Sequence, residues 1–257
     1  MPVEQIALIL VTGIAAGFLN TLAGGGSLLT MPVLIFLGLP SAMANGTNRI
    51  ALMAQNIVAV TNFRRKGFFD WKLSLMLGIP AVLGSVLGAN LAISLPDRIF
   101  NKILAVVMLL VLGLILWQPQ KKLAGAGGNL SSKRKLAAVI TFFFVGIYGG
   151  FIQAGVGFII IASLTVITGM SLVRINSIKV FVVAIYMLSS LAIFVYSGQV
   201  DWVLGLTLAV GNGLGGWLGS NFAVSRGDKW IRVFLVIAVT LMAAKLLGLF
   251  EILGWGA

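Results

Sequence analysis

The chain of 257 residues has no cysteine and no histidine. Disulfides, thiol catalysis and the commonest metal ligand are therefore absent. Charge is also scarce: only 9% of residues are charged, against about 25% in an ordinary soluble domain. The acidic residues number six, Glu4, Asp70, Asp97, Asp201, Asp228 and Glu251, each near the end of an apolar segment. No carboxylate pair is left inside an apolar segment for acid–base or metal chemistry, which disfavours an enzyme and calls for no cofactor. Nor does a buried carboxylate offer itself as a proton relay.

What the chain has in quantity is apolar sequence, 60% of its residues. Stretches of about 20 residues, long enough to cross a hydrocarbon core of about 30 Å, recur along its length, and lipid obliges such stretches to be helical. A β-barrel would instead show segments of about 10 residues alternating in polarity. The expectation is an all-α, polytopic transmembrane bundle in a lipid bilayer. The net charge of +12 comes from Lys and Arg lying between the apolar segments, which reads as a topology signal and not as a nucleic-acid surface. Residues 4–20 imitate a signal peptide, but Glu4 stands where a basic residue is expected and no cleavage site follows, so they are read as part of the mature fold.

The chain also matches itself at one constant register. Gly67, Asp70 and Trp71 fall on Gly198, Asp201 and Trp202; Gly84, Gly88 and Asn90 fall on Gly215, Gly219 and Asn221; Gly24, Gly26 and Asn45 fall on Gly155, Gly157 and Asn176. A register two residues longer carries Gly13, Gly17, Phe18 and Asn20 onto Gly146, Gly150, Phe151 and Gln153. Residues 1–117 thus form one membrane repeat, 118–135 a linker and 136–257 a second repeat. Each repeat holds a pair of shorter segments hinged at glycines (4–20 with 27–38, 136–152 with 156–169) followed by three long ones (43–62, 73–94 and 98–117; 174–197, 202–223 and 229–249). Each pair, re-entrant or fully crossing, returns to its starting side, so three further crossings make the unit odd and the repeats inverted. Loop charge agrees: Arg64, Arg65, Lys66 and Lys72 mark a cytoplasmic loop, while the matching loop at 198–202 has no basic residue. The loop with Arg98 and Lys102 falls outside and its partner with Arg226, Lys229 and Arg232 inside, a weaker contrast. The linker, with Lys121, Lys122, Lys133, Arg134 and Lys135, is cytoplasmic, and both termini lie outside.

Paired glycine-interrupted segments in the two halves of a transporter point to its binding site. Here they are Asn20 with Gly24, Gly25, Gly26 and Ser27, and Gln153 with Gly155 and Gly157. A half-helix starting at such a break aims unpaired N–H groups and the positive end of its dipole at an anion. The competing reading, close packing of small residues, suits the Gly-x-x-x-Gly spacing of Gly84 with Gly88 and Gly215 with Gly219. A second constellation is Asn45, Asn48 and Arg49, matched by Asn176 and Lys179: a cation near the start of a long helix in each half, expected to flank one bound anion. The alternative is that both cations snorkel to the headgroups. Gln55, Asn56 and Tyr186 are candidates for polar lining of the same cavity.

The Gly13 to Phe18 run, the glycine-rich break before Pro32, the Asn45 to Arg49 segment, the Arg64 to Lys66 loop and the duplicated Asp-Trp and Gly-x-x-x-Gly-x-Asn elements together resemble the sulfite exporter TauE/SafE family. The resemblance implies transport of sulfite, an organosulfonate or a related small anion across the bacterial inner membrane. A membrane potential negative inside favours anion exit by roughly 2.3 kcal/mol per charge per 100 mV, so export needs no coupled ion. The expected function is export by alternating access; an anion channel, or transport of an unrelated solute, uses the same features. The possibility of a homo-oligomer is left open by the sequence.

Overall fold

The structure, a computed structural model, describes residues 3–117 and 131–222. Most of the linker and the segment at 229–249, with Arg226, Asp228, Lys229, Arg232 and Glu251, lie outside the described residues. Among the described residues there are nine helices and no strand: α1 (Val3–Ala23), α2 (Ser27–Phe36), α3 (Ser41–Arg65), α4 (Trp71–Ser94), α5 (Asp97–Trp117), α6 (Ser132–Phe151), α7 (Val156–Thr168), α8 (Leu172–Tyr196) and α9 (Trp202–Phe222). This is an all-α, polytopic membrane fold. Segments Glu4–Leu22, Trp71–Ser94, Ser132–Phe151 and Leu172–Tyr196 are long and apolar enough to cross a bilayer.

Sequence-matched residues build matching ends. Asp70 caps α4 by accepting from Leu73 N at 3.0 Å, and Asp201 accepts from Leu204 N at 2.9 Å at the start of α9. Helices α3 and α8 both run out into a glycine of positive φ, Gly67 (75°) and Gly198 (67°), a conformation that glycine adopts without a Cβ penalty. Trp71 and Trp202, 48% and 53% exposed, stand at these helix starts as interfacial anchors do.

The broken pairs differ from expectation in one respect. Their first members, α1 with 21 residues and α6 with 20, are full-length helices; only α2 (10) and α7 (13) are short. At 1.5 Å per residue α2 covers only about 15 Å, half a hydrocarbon core. It folds back on α1: a Cβ on Gly26 would run into Ala16, and Leu29 shares an apolar cluster with Ala16 and Leu19.

The two halves interlock. Helix α4 packs along α6 and α8, and α9 along α1 and α3, so each half contributes to both of the resulting bundles. Glycines make this possible. A Cβ on Gly84 would strike the carbonyl of Phe143, one on Gly88 that of Ile147, one on Gly215 that of Ile14. From the other side, Gly146 lies on Ala81, Gly150 on Ser85 and Gly17 on Asn212. In lipid, where no hydrophobic force drives helices together, such close backbone approach supplies the dispersion contact that holds them. Gly88→Val is therefore expected to cost about 1–3 kcal/mol by overpacking and to lower the thermal midpoint of the purified protein. Gly213→Ala, with no atom within 4 Å of the added carbon, should leave it unchanged or raise it slightly.

Candidate functional site

Both glycine breaks meet at the centre of the fold. Gly24 (φ 86°) lies so close to Gly157 that a Cβ on either would collide with the Cα of the other. Gly155 (φ 71°) adopts the same left-handed conformation and abuts Val111 of α5, while Gln153 (φ 62°) enters that region without being glycine. The Ser27 hydroxyl reaches the Gln153 carbonyl at 3.5 Å, joining one break to the other. Helices α2 and α7 begin here. The first amides of a helix have no intrahelical acceptor, and those of Gly25, Gly26, Gly155 and Gly157 donate to no backbone carbonyl.

Where α2 and α7 begin, α1 and α6 end, and their terminal carbonyls are gripped from across the molecule. From α8, Lys179 Nζ donates to the carbonyls of Asn20 and Thr21, each at 3.0 Å, and Asn176 Nδ2 to that of Leu22 at 3.2 Å. From α3, Arg49 donates through Nη1 to Gly149 O at 3.2 Å and through Nη2 to Gly150 O at 2.5 Å, and Asn45 Nδ2 to Phe151 O at 2.7 Å. Three consecutive carbonyls of each half are thus held by the matching asparagine and cation of the other. Arg49 also donates to Ser190 Oγ (2.8 Å) and Asn45 Oδ1 (3.2 Å) and stacks 4.6 Å from the Phe194 ring centroid.

Neither cation reaches the headgroups. Arg49 is 0% and Lys179 2% exposed, and each lies seven or eight residues into its helix, about 10–12 Å from the start. Two of the expected lining side chains, Gln55 and Tyr186, bond to residues of the breaks: Asn20 Nδ2 donates to Gln55 Oε1 at 2.9 Å, and the Tyr186 hydroxyl to Gln153 Oε1 at 2.7 Å. Asn48, at 0% exposure, has no partner among the described residues for either polar atom, and Asn176 Oδ1, Ser177 Oγ and Asn56 Nδ2 are likewise unpartnered there. Buried polar groups are normally satisfied; of these exceptions, Asn48 adjoins Arg49 and Asn176 lies three residues before Lys179. The sequence reading passed over Ser190, Thr21 and Phe194. Ser190 had a signal, the Ser189-Ser190 pair inside an apolar helix.

A helix terminus carries roughly half an elementary charge, positive at the N-terminus and negative at the C-terminus. Two N-termini and two C-termini meeting here offset one another, and the basic side chains of Arg49 and Lys179 remain. The described acids, Glu4, Asp70, Asp97 and Asp201, all lie near helix ends away from the breaks. A buried cation without a counter-charge is costly even when well hydrogen-bonded.

Paired broken helices around a charged centre, inside a polytopic helical bundle, define a membrane transport protein. Comparison with known proteins narrows the class. The family model described as Sulfite exporter TauE/SafE matches residues 9–246, and the chain belongs to that family. It is similar to a probable membrane transporter protein of Haemophilus influenzae, with 30% identity over 95% of both chains. The probable membrane transporter protein YfcA of Escherichia coli K12 is also 30% identical, over 90% of this chain and 86% of its own. A probable membrane transporter protein, ORF9, of a Sinorhizobium species is 27% identical over 94% and 92%.

Proposed function

We propose that this protein exports a small sulfur-containing oxyanion, sulfite or an organosulfonate, across the bacterial inner membrane. The observation that carries the reading is the buried pair Arg49 and Lys179 beside two helix N-termini, with no carboxylate to balance them among the described residues. An anion at the breaks supplies the missing charge. In this reading the amides of Gly25, Gly26, Ser27, Gly155 and Gly157 are its donors. Asn48 and Asn176 offer unpartnered polar atoms, while Asn20 and Gln153 brace the break through Gln55 and Tyr186.

The interlocked packing supports a particular form of alternating access between inverted repeats. The bodies that rock are the mixed bundles, α1 with α3 and α9 against α4 with α6 and α8, and the breaks lie between them. Arg49 and Lys179 each bond from one bundle to the other, so their bonds to the helix ends open on one side of the cycle and close on the other. With the central linker cytoplasmic, the potential drives an anion outward.

The test is flux of sulfite, with sulfate and a small organosulfonate beside it, in proteoliposomes under an imposed potential. The expected result is saturable sulfite or sulfonate movement that reverses with the sign of the potential. Ohmic single-channel current would make the protein a channel. No movement of any of the three by folded, inserted protein would remove the substrate assignment.

A further inference from the structure

The repeat provides an internal control for a second site. At one end of the molecule the loop before α9 is seated tightly on α3: Gln199 O lies where a Cβ on Gly46 would be, and Asp201 N donates to Thr47 Oγ1 at 2.9 Å. The matching loop before α4 faces α8, where Ser177 replaces Gly46 and its hydroxyl has no partner. That loop packs on α8 through Phe69 and Trp71 against Phe181, and beside this contact lies a cavity of about 270 Å³ lined by Gly67 to Lys72, Met170, Arg174 and Ile178.

This cavity is cationic only at this end. Lys72 and Arg174 line it, both exposed and neither in a hydrogen bond or ion pair with a described residue. Their counterparts are Val203 and Met43, so the fold does not need charge here. Two neighbouring cations are occupied: Arg64 lies over the Trp71 ring at 5.5 Å, and Lys66 Nζ donates to Asn221 Oδ1 at 2.7 Å. The one carboxylate, Asp70, is turned to Leu73 N as the cap of α4. Helix α4 starts in the cavity, and its first two amides, Trp71 and Lys72, have no backbone acceptor. Beside these donors Trp71 packs edge-on with Phe69 and Phe181, an aromatic surface at the membrane interface.

Two free cations, two free amides and an amphipathic aromatic wall are the complement of a phosphate joined to an acyl chain. We propose that this cavity binds the headgroup phosphate of an anionic phospholipid, held by Lys72 and Arg174 with the chain lying against Trp71. A positive-inside signal alone accounts for the charges but not for their place in the lining of a cavity beside two free amides.

The test uses the full-length protein purified in a neutral detergent, with phosphatidylglycerol, phosphatidylcholine or inorganic phosphate added, read by native mass spectrometry and by thermal unfolding. The comparison is between the native chain, the double variant Lys72→Ala with Arg174→Ala, and the control Arg98→Ala with Lys102→Ala, which removes two cations from another loop. At about 1 kcal/mol per basic residue at an anionic surface, the double variant should bind phosphatidylglycerol at least about tenfold more weakly, while the control binds as the native chain does. Equal retention of the two lipids, or equal loss in both variants, would overturn the proposal. So would full stabilisation by inorganic phosphate alone, which would make the site one for a soluble phosphate. If the double variant fails to fold, Lys72→Gln and Arg174→Gln made singly carry the same prediction, each with a smaller loss.

Discussion

Arg49→Gln is expected to abolish saturable anion flux, lowering it at least about a hundredfold, and to destabilise the protein as well. The guanidinium holds the carbonyls of Gly149 and Gly150 and the hydroxyl of Ser190, and each group left unsatisfied in a buried site costs about 1–3 kcal/mol. A glutamine amide restores at most part of this. Lys179→Gln should behave alike, because Lys179 performs the same task on the end of α1. Arg49→Lys separates charge from geometry: it keeps the cation but loses the fork that spans two carbonyls. Its thermal midpoint should fall while anion affinity stays within about tenfold, since 1.4 kcal/mol is one decade. Flux assays beside thermal unfolding of the three variants check this. Undiminished flux in Arg49→Gln would remove the cation from the site.

Gly24→Ala is the substitution expected to do most damage to the fold for the least change in volume. The left-handed conformation costs a Cβ-bearing residue roughly 1–2 kcal/mol. The added carbon also meets the Gly157 backbone, which cannot swing aside as a side chain does. Gly38 is the matched control, with a φ of 95° and nothing within 4 Å of an added carbon. Gly38→Ala should show the conformational part alone. Measured by thermal unfolding, Gly24→Ala should lose several times as much as Gly38→Ala, and Gly157→Ala should resemble Gly24→Ala although its own φ is ordinary.

Much of the fold is legible in the sequence because apolar length and glycine punctuation are local signals. The expected segments and the described helices agree within a few residues, and the Gly-x-x-x-Gly pairs do lie at close helix crossings. Interlocking of the halves was not legible. Gly88 announces that some backbone comes near, and nothing in its neighbourhood says that the backbone belongs to Ile147 of the other half. The expected segments 4–20 and 136–152 already run through Gly17 and Gly150; the structure carries α1 on through Thr21 to Ala23 and starts α6 at Ser132, among the linker cations, where low hydropathy hides the helix start.

For the site, the residues were legible and their immediate partners were not. Arg49 and Lys179 stand out as cations inside apolar helices, and Gln55 and Tyr186 as polar groups on the same helices. Their hydrogen bonds go to backbone carbonyls of Asn20, Thr21, Gly149 and Gly150, and a carbonyl has no letter in a sequence. The sequence reading set an anion directly between the two cations. In the structure their donors face helix ends, so in the proposed cycle they act on an anion through their field and by holding the breaks in place.

That the centre is a positive site awaiting an anion is tested by giving it a counter-charge of its own. Asn45 Oδ1 already accepts from Arg49 Nη2 at 3.2 Å, so Asn45→Asp places a carboxylate on the guanidinium. Thermal unfolding of the purified protein is then followed against sulfite, sulfate and an organosulfonate. Binding to the folded state alone stabilises by about 2.7 kcal/mol at a hundred times Kd, a shift of several degrees. The native chain should show this shift with its substrate, and Asn45→Asp should need at least about tenfold more anion for the same effect. A variant stabilised as readily as the native chain, or a native chain indifferent to all three anions, would contradict an anion site at the meeting of the two breaks.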